Sequence, residues 1–255
     1  MTGKHIEANK DYWNAQAPGW VAAGERLWAA KTPEWGNWGI PDGQAEMLPT
    51  DMTGMTAIEL GCGTGYVSGW MVRRGAEVTA VDQSKEQLAT AKRLAVEHET
   101  CVAFIEANAE AVPLPDSSFD FAVSEYGAAI WCDPDIWVPE AHRLLRRGGT
   151  LAFLGNHPLT IVCSPLSGDA IDRTLHRPYR KMHMADWTEV EIDPGGIEFN
   201  RTFADWMDLF QRVGFEVLRY QELFAPPEAR GMRFPTPADW AHEFPVEQIW
   251  VLRKR

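Results

Sequence analysis

The chain has 255 residues, with 36 Asp plus Glu against 24 Lys plus Arg and a formal net charge of −12 at pH 7. Its 45% hydrophobic and 24% charged residues are typical of a globular chain and argue against disorder, collagen-like repeats and coiled coil. The acidic balance disfavours a nucleic-acid partner. No apolar run reaches the ~18 residues of a membrane span, and none resembles a signal peptide. We therefore expect a cytoplasmic protein with no nucleic-acid or membrane partner, and its oligomeric state stays open.

Four cysteines lie far apart along the chain, at Cys62, Cys101, Cys132 and Cys163. None forms a C-x-x-C pair, and no histidine stands at zinc-finger spacing. The pattern predicts reduced thiols in the core and no metal site.

The region from residue 56 to residue 156 alternates strand-like with helix-like segments, which is typical of βαβ units and a parallel sheet. The predicted strands are Thr56–Leu60, Glu77–Val81, Val102–Ile105, Phe119–Val123 and Thr150–Leu154. One helix follows the first strand, a second begins at the capping box of Ser84 and Gln87, and a third runs over Pro134–Arg147. Gly148 and Gly149 are predicted to end that third helix.

Beyond residue 156 the pattern loosens, and residues 156–196 are interpreted as an insertion. A helix over Phe203–Val213 and strands at Phe215–Arg219 and Ile249–Leu252 follow. We predict one domain that comprises a helical cap (1–50), a cofactor-binding core (51–156), a second cap (157–200) and the last part of the sheet (201–255).

A glycine-rich turn carries the strongest chemical signal. The segment E-L-G-C-G-T-G at 59–65 places three alternating glycines directly after a strand, where the backbone turns tightly and a ligand can approach closely. A nicotinamide-binding G-x-G-x-x-G would need glycine where Tyr66 stands, and no Lys-Ser or Lys-Thr follows to make a P-loop. Asp82, after the second strand, suits the hydroxyl groups of a ribose. The sequence therefore predicts a nucleoside ligand, with a nicotinamide-dependent oxidoreductase as a less favoured alternative.

Four motifs in order carry a family resemblance: 59–65, Asp82, Asn108-Ala109-Glu110, and L-L-R-R-G-G at 144–149. Together they resemble the class I S-adenosylmethionine-dependent methyltransferases, in particular those of ubiquinone and menaquinone biosynthesis. The resemblance implies an α/β, Rossmann-like, seven-stranded and mostly parallel sheet of order 3-2-1-4-5-7-6, with strand 7 antiparallel and helical caps. It also implies S-adenosylmethionine as methyl donor, S-adenosylhomocysteine as product and a small-molecule acceptor.

The resemblance further implies which residues contact this cofactor. The glycines would pack against its methionine part and Asp82 against its ribose, while Glu125 would face its ammonium or sulfonium end. The complete implied set is Tyr12, Trp20, Glu59, Gly61, Gly63, Gly65, Asp82, Gln83, Asn108, Ala109 and Glu125. For the aromatic members an alternative stays open, because the five tryptophans of the first forty residues could simply staple a cap onto the domain.

The catalytic residues are the least determined part of the prediction. Related enzymes often carry histidines shortly after the fourth strand, where this chain has Ala129 and Ile130. His157 is the candidate general base, with a structural loop histidine as the alternative, and Tyr126 is a candidate for the acceptor site. We expect transfer to oxygen more than to sulfur, nitrogen or carbon. Because the usual base position is empty, a non-catalytic S-adenosylmethionine-binding or regulatory protein is the main alternative.

Overall fold

A computed structural model describes residues 3–190 and 194–255, and its centre is a seven-stranded sheet. The strands are β1 (Thr56–Leu60), β2 (Glu77–Asp82), β3 (Val102–Glu106), β4 (Phe119–Glu125), β5 (Leu145–Asn156), β6 (Phe215–Leu223) and β7 (Glu247–Lys254). Their spatial order is β6-β7-β5-β4-β1-β2-β3, and β7 runs antiparallel to both β5 and β6. The predicted order 3-2-1-4-5-7-6 and the predicted fold class are confirmed.

Helices cover the sheet and its edges. They are α1 (Lys4–Ala29), α2 (Asp42–Ala45), α3 (Tyr66–Arg73), α4 (Lys85–Glu97), α5 (Gly127–Trp131), α6 (Pro134–Leu144), α7 (Pro158–Cys163), α8 (Phe203–Val213) and α9 (Ala238–Ala241). Among the residues described, no helix combines the length and apolarity needed to cross a bilayer.

The central strands are buried on both faces, as expected of a parallel sheet that lies between two helical layers. Ala57, Ile58 and Leu60 of β1 are all fully buried. Ala57 belongs to an apolar cluster with α3 and the segment 35–52, whereas Ile58 belongs to a second cluster with α6 and α8. Successive residues of one strand therefore join two separate layers of core.

The end of α6 differs from the prediction. The helix ends at Leu144 rather than at Arg147, because Leu145 already pairs with Phe119 of β4 as the first residue of β5. The register shifts between Phe119 and Phe121, and Gly148 has φ +82°. Gly148 and Gly149 therefore lie at an irregularity within β5, and they do not end α6.

Two further expectations need correction. Cys62, Cys132 and Cys163 are buried, but Cys101 is exposed because it lies in the turn between α4 and β3. In the 157–200 cap the described helix is confined to α7, and the rest is turns and a ribbon of Met184–Asp186 with Ile197–Phe199. The division of the chain into one domain with two caps stays a prediction.

Three of the five early tryptophans staple the N-terminal segment to the core. Trp28, Trp35 and Trp38 are buried. The indole N–H of Trp28 donates to the Thr64 carbonyl at 2.7 Å, and its ring packs against Gly69 so closely that a Cβ there would lie 2.5 Å from a ring carbon. Stapling thus accounts for these three, whereas Trp13 and Trp20 are partly exposed.

Trp28→Ala should lower the free energy of unfolding by about 3–5 kcal/mol, because it leaves a large cavity between α1 and α3. Trp20→Ala, on the same helix but partly exposed, is the control and should cost about 1 kcal/mol or less. Urea denaturation of the three proteins measures both losses. Equal losses would contradict the stapling role of Trp28.

Candidate functional site

The turn between β1 and α3 contains three glycines whose backbone conformations strongly favour a residue without a side chain. Gly61, Gly63 and Gly65 all have positive φ, at +75°, +50° and +77°. A Cβ on Gly61 would lie 2.6 Å from the backbone nitrogen of Ala128, so α5 closes this side of the turn. A Cβ on Gly63 would meet nothing within 4 Å. The turn is therefore packed at Gly61 and open at Gly63, where a ligand can approach the backbone.

Asp82 lies beside this opening, at the end of the neighbouring strand β2. Its Oδ2 accepts from the Gly63 N–H at 2.8 Å and its Oδ1 from the Ser84 N–H at 2.8 Å. Burial raises the pKa of Asp82, against the effect of these hydrogen bonds. The backbone N–H of Gln83 also donates to this carboxylate, which keeps a lone pair that a ribose hydroxyl could use.

Next to Asp82, the Gln83 side chain supplies an unsatisfied polar atom. Its Oε1 is buried and accepts no hydrogen bond within the described part of the chain. A buried oxygen without a donor is costly, which points to a polar ligand at this position. Open space at Gly63, the carboxylate of Asp82 and the free oxygen of Gln83 together fit a nucleoside.

Helix α1 lies across the glycine turn. Asn14 accepts from the Ser84 hydroxyl at 2.8 Å, and Gly24 packs so tightly on Thr64 that a Cβ would lie 2.8 Å from its hydroxyl. Near the start of the helix, the His5 ring nitrogen lies 2.6 Å from Glu110 Oε1. Contacts at both ends hold α1 over the carboxyl ends of β1, β2 and β3.

Tyr12 and Trp20, the predicted aromatic contacts, both project from α1 into an aromatic cluster. Tyr12 packs against Trp13 and Trp131, with ring centroids 5.3 and 5.9 Å apart. Trp20 stacks on Phe234 at 6.0 Å and contacts Trp13 at 5.8 Å. The indole nitrogen of Trp13 is buried with no hydrogen-bond partner among the described residues. These rings form a continuous apolar wall.

Asn108 and Ala109, the predicted adenine contacts, lie in the turn that follows β3. Asn108 Oδ1 accepts from the Glu110 N–H at 3.1 Å, and Ala109 is buried. Glu110 in turn accepts from the Asp133 N–H at 2.6 Å. This turn therefore joins β3 to the start of α6.

Glu59 occupies a different place from the other predicted contacts. Its Oε2 accepts from both the N–H and the hydroxyl of Ser68, at 2.8 and 2.5 Å. Burial raises its pKa to about 8. All its described partners belong to α3, so the contacts that Glu59 makes hold this helix against β1.

A pair of buried carboxyl groups lies where β4 ends and β7 begins. Glu125 accepts from the Gly36 N–H at 2.8 Å and from the Tyr66 hydroxyl at 2.7 Å. Glu247 accepts from the Asn37 N–H at 2.8 Å and from the Tyr126 hydroxyl, and its Oε2 has no partner in the part of the chain that is described. Burial raises the pKa of each glutamate to about 7. Both groups can therefore hold a proton near neutral pH.

Tyr126 links this pair to the end of β4 through a strained backbone. It has φ +55°, which is rare for a residue with a side chain, and its N–H donates to the Leu154 carbonyl at 2.9 Å. Burial raises the pKa of the Tyr126 hydroxyl, so this group stays a neutral hydrogen-bond donor. A strained residue held from both sides is typical of functional sites.

His157, the predicted base, faces the other side of β5. Its Nδ1 accepts from the Leu159 N–H at 3.1 Å and caps α7, while its Nε2 lies 3.4 Å from Glu222 of β6. The ring contacts Phe203 of α8, and burial lowers the His157 pKa. The structure thus brings Tyr126 to Glu125 and Glu247 but directs His157 towards β6.

Glu247 is the site residue that sequence reasoning missed. It pairs in register with Asn156, the last residue of β5, because β7 runs antiparallel. The first residue of β7 therefore lies at the same sheet edge as the last residues of the parallel strands. The family resemblance already implied an antiparallel last strand, and this implication could have placed the first residue of that strand at the site.

One group of possible metal ligands also comes together. Single ligand atoms of Asp133, Asp135 and His183 lie within 4.8 Å of one another. Asp133 caps α6, and Asp135 forms ion pairs with Arg201 and Arg212. These contacts account for the two carboxylates without a metal ion.

Comparison with known proteins gives the context of this site. Residues 58–153 match a family model described as a methyltransferase domain. Malonyl-[acyl-carrier protein] O-methyltransferase of Enterobacter lignolyticus is 41% identical over 98 residues, which are 38% of this chain and 37% of that protein. A chloroplastic 2-methyl-6-phytyl-1,4-hydroquinone methyltransferase of Oryza sativa is 36% identical over 107 residues, covering 41% and 30%. A solved S-adenosylmethionine-dependent methyltransferase of Mesorhizobium loti aligns with a TM-score of 0.67 and 25% identity, covering 86% of this chain and 100% of that one.

The chain thus spans about a third of the length of these two curated relatives. The matched segment, residues 58–153, carries the glycine turn, Asp82 and Glu125. For this segment the predicted resemblance to S-adenosylmethionine-dependent methyltransferases, and the cofactor that it implies, are confirmed. The cytoplasmic location stays a prediction.

Stability should fall as the pH rises from about 5 to 8, because Glu59 keeps its proton in the folded state until about pH 8 whereas an unfolded glutamate ionises near 4.5. Each such group contributes a slope of at most about 1.4 kcal/mol per pH unit. Glu125 and Glu247 act in the same direction. Glu59→Gln keeps an acceptor for Ser68 and should flatten this slope in urea denaturation.

Glu86→Gln is the matched control, since Glu86 is exposed on α4. It should leave the slope unchanged. An unaltered slope in Glu59→Gln would contradict the protonated state of Glu59.

Proposed function

We propose that this chain transfers a methyl group from S-adenosylmethionine to a small, partly apolar metabolite, with oxygen as the favoured acceptor atom. The observation that carries the proposal is the open side of Gly63 beside Asp82, under a helix that covers the carboxyl ends of three strands. Ligands of open α/β sheets lie at this edge, where the strand order changes direction. Here that change falls between β1 and β4.

Each part of the cofactor has a matching group in this arrangement. The backbone at Gly61, Gly63 and Gly65 would lie against the methionine part, Asp82 would accept from the ribose hydroxyls, and Gln83 would lie beside the base. Asn108 and Ala109 would contact the adenine edge, with Tyr12 and Trp20 above. When bound, the cofactor supplies an electrophilic methyl group on a positively charged sulfur.

The chain's own residues would act by positioning and by excluding water. Alignment of acceptor, methyl carbon and sulfur supplies much of the acceleration of such a displacement, and α1 with its aromatic wall would keep water out. Tyr126, which stays protonated, would donate a hydrogen bond rather than act as a base. Glu125 or Glu247, with pKa values near 7, could take a proton from a hydroxyl acceptor.

One observation favours a second candidate function, a protein that binds S-adenosylmethionine without catalysing methyl transfer. Ala129 and Ile130 fill the usual base position after β4, and both are buried. A protein with this feature could bind S-adenosylmethionine and transfer nothing. His157 is tested at the same time, because His157→Ala should reduce turnover only if that residue serves as the base.

The decisive experiment incubates the purified chain with methyl-labelled S-adenosylmethionine and a small-metabolite extract, followed by mass spectrometry. A labelled product would establish transfer and identify the acceptor. Binding of the cofactor without any labelled product, across extracts of different origin, would favour the non-catalytic candidate.

Asp82→Ala should weaken S-adenosylhomocysteine binding by ~1–3 kcal/mol in calorimetry, because it removes the acceptor for the ribose hydroxyls. Glu77→Gln is the matched control, since Glu77 is exposed at the opposite end of the same strand. It should leave the affinity unchanged. Thermal melting of each variant checks that the fold is retained, and an unaltered affinity in a folded Asp82→Ala would refute this placement of the cofactor.

A further inference from the structure

A cavity lies within the 157–200 segment, and it shares no lining residue with the glycine turn. Its volume is about 250 Å³. One wall is the ribbon of Met184–Asp186 and Ile197–Phe199, and another is the stretch 177–183. The residues that matter for its chemistry are Arg177, Arg180, Lys181, Met182, His183, Met184 and Glu198.

The lining is cationic although the chain as a whole is acidic. Arg177, Arg180 and Lys181 outnumber the one carboxyl group, that of Glu198. Within residues 3–190 and 194–255, neither Arg180 nor Lys181 forms an ion pair, and the Arg177 Nε is buried without a hydrogen-bond partner. In a protein with a net charge of −12, three cations around one cavity, with Glu198 as the one carboxyl group in the described lining, form a local site for an anion.

Arg177 is held in place by its neighbours. Its guanidinium lies over the Trp187 ring at 4.5 Å from the centroid, and one terminal nitrogen donates to the Ser164 carbonyl at 3.2 Å. Burial raises the pKa of Glu198 to about 7. This carboxyl group can therefore be neutral and need not repel an anion. A guanidinium fixed in this way presents its remaining N–H groups as a fork that matches carboxylate or phosphate.

Much of the remaining lining is apolar, and hydrogen bonds connect the cavity wall to the end of β5. Met182, Met184 and Phe199 give it a surface for a hydrocarbon body. Glu198 lies 3.4 Å from the Asn156 amide, and Asn200 donates to the Asn156 carbonyl at 2.9 Å. Asn156 ends β5, the strand next to β4 and Glu125. The wall of the cavity thus contacts the end of β5, at the sheet edge where the acceptor would lie.

We propose that this cavity binds the anionic group of the methyl acceptor, a carboxylate or a phosphate monoester on an apolar body. The inference rests on the proposed function, whose acceptor it describes. Arg177 and Lys181 would hold the anion, and the methionines would pack against the body that carries it.

The test uses the full chain with ¹³C-methyl-labelled methionine, in the presence of S-adenosylhomocysteine. Met182→Leu and Met184→Leu assign the two cavity signals. The probes are benzoate, phenyl phosphate and the neutral benzamide. Saturable shifts of these signals with benzoate or phenyl phosphate are expected, and the comparison of the two separates carboxylate from phosphate. Benzamide should cause no saturable shift.

Lys181→Met and Arg177→Met should each weaken binding of the preferred anion about tenfold. Lys181 is exposed, so its variant keeps the test valid if the Arg177 variant does not fold. Arg173→Met is the matched control, because Arg173 is exposed in the same segment, pairs with Glu243 and lies outside the cavity. It should leave the affinity unchanged.

Three results would overturn the inference: no saturable shift with either anion, equal shifts with benzamide, or equal losses in Arg173→Met and Lys181→Met. Calorimetry with S-adenosylhomocysteine separates this failure from failure of the proposed function, because it reports the cofactor site alone. A labelled methylation product without an anionic group would also refute the inference, while it would support methyl transfer.

Discussion

The glycine turn after β1 is in contact with three segments at once, β2, α5 and α1, and these contacts limit where a ligand could approach it. The N–H groups of Gly61 and Cys62 both donate to the Val81 carbonyl of β2, while α5 presses on Gly61 from the other side. Thr64 receives the indole of Trp28 from α1. Because three sides are filled, only the Gly63 side stays open. The proposed position of the ligand follows from this open side of the turn.

Buried carboxyl groups are the second constraint on the site. Glu59, Glu125 and Glu247 are taken out of water without an arginine or lysine partner among the described residues, and burial therefore raises their pKa values to between about 7 and about 8. Their partners are hydroxyl and backbone N–H groups. Such groups cost stability when they ionise, which couples the folding of the site to pH. Near neutral pH, Glu125 and Glu247 can each hold or release a proton.

Much of the fold could be predicted from the sequence. Alternating patterns gave the strands and helices of residues 56–156, and the family resemblance supplied the strand order. The end of α6 was predicted wrongly. Leu145 belongs to β5 because it pairs with Phe119, and local helix signals do not encode this contact. Cys101 was misjudged for a similar reason, since its exposure depends on the position of a turn.

The candidate site was predicted in part. The glycines, Asp82 and Glu125 follow from motifs that lie at strand ends. Glu247 did not, because its contact with Tyr126 joins residues 121 positions apart. The direction of the His157 ring could not be predicted either, because the ring caps α7 and lies near Glu222 of β6. Side-chain direction at a loop depends on tertiary contacts that a single sequence does not display.

The most direct test of the account is a crystal structure of the chain grown with S-adenosylhomocysteine. The account predicts ligand density against the open side of Gly63, with the ribose hydroxyls about 3 Å from the Asp82 carboxylate and the base beside Gln83. Density at a different place, or an empty glycine turn at saturating ligand, would contradict it.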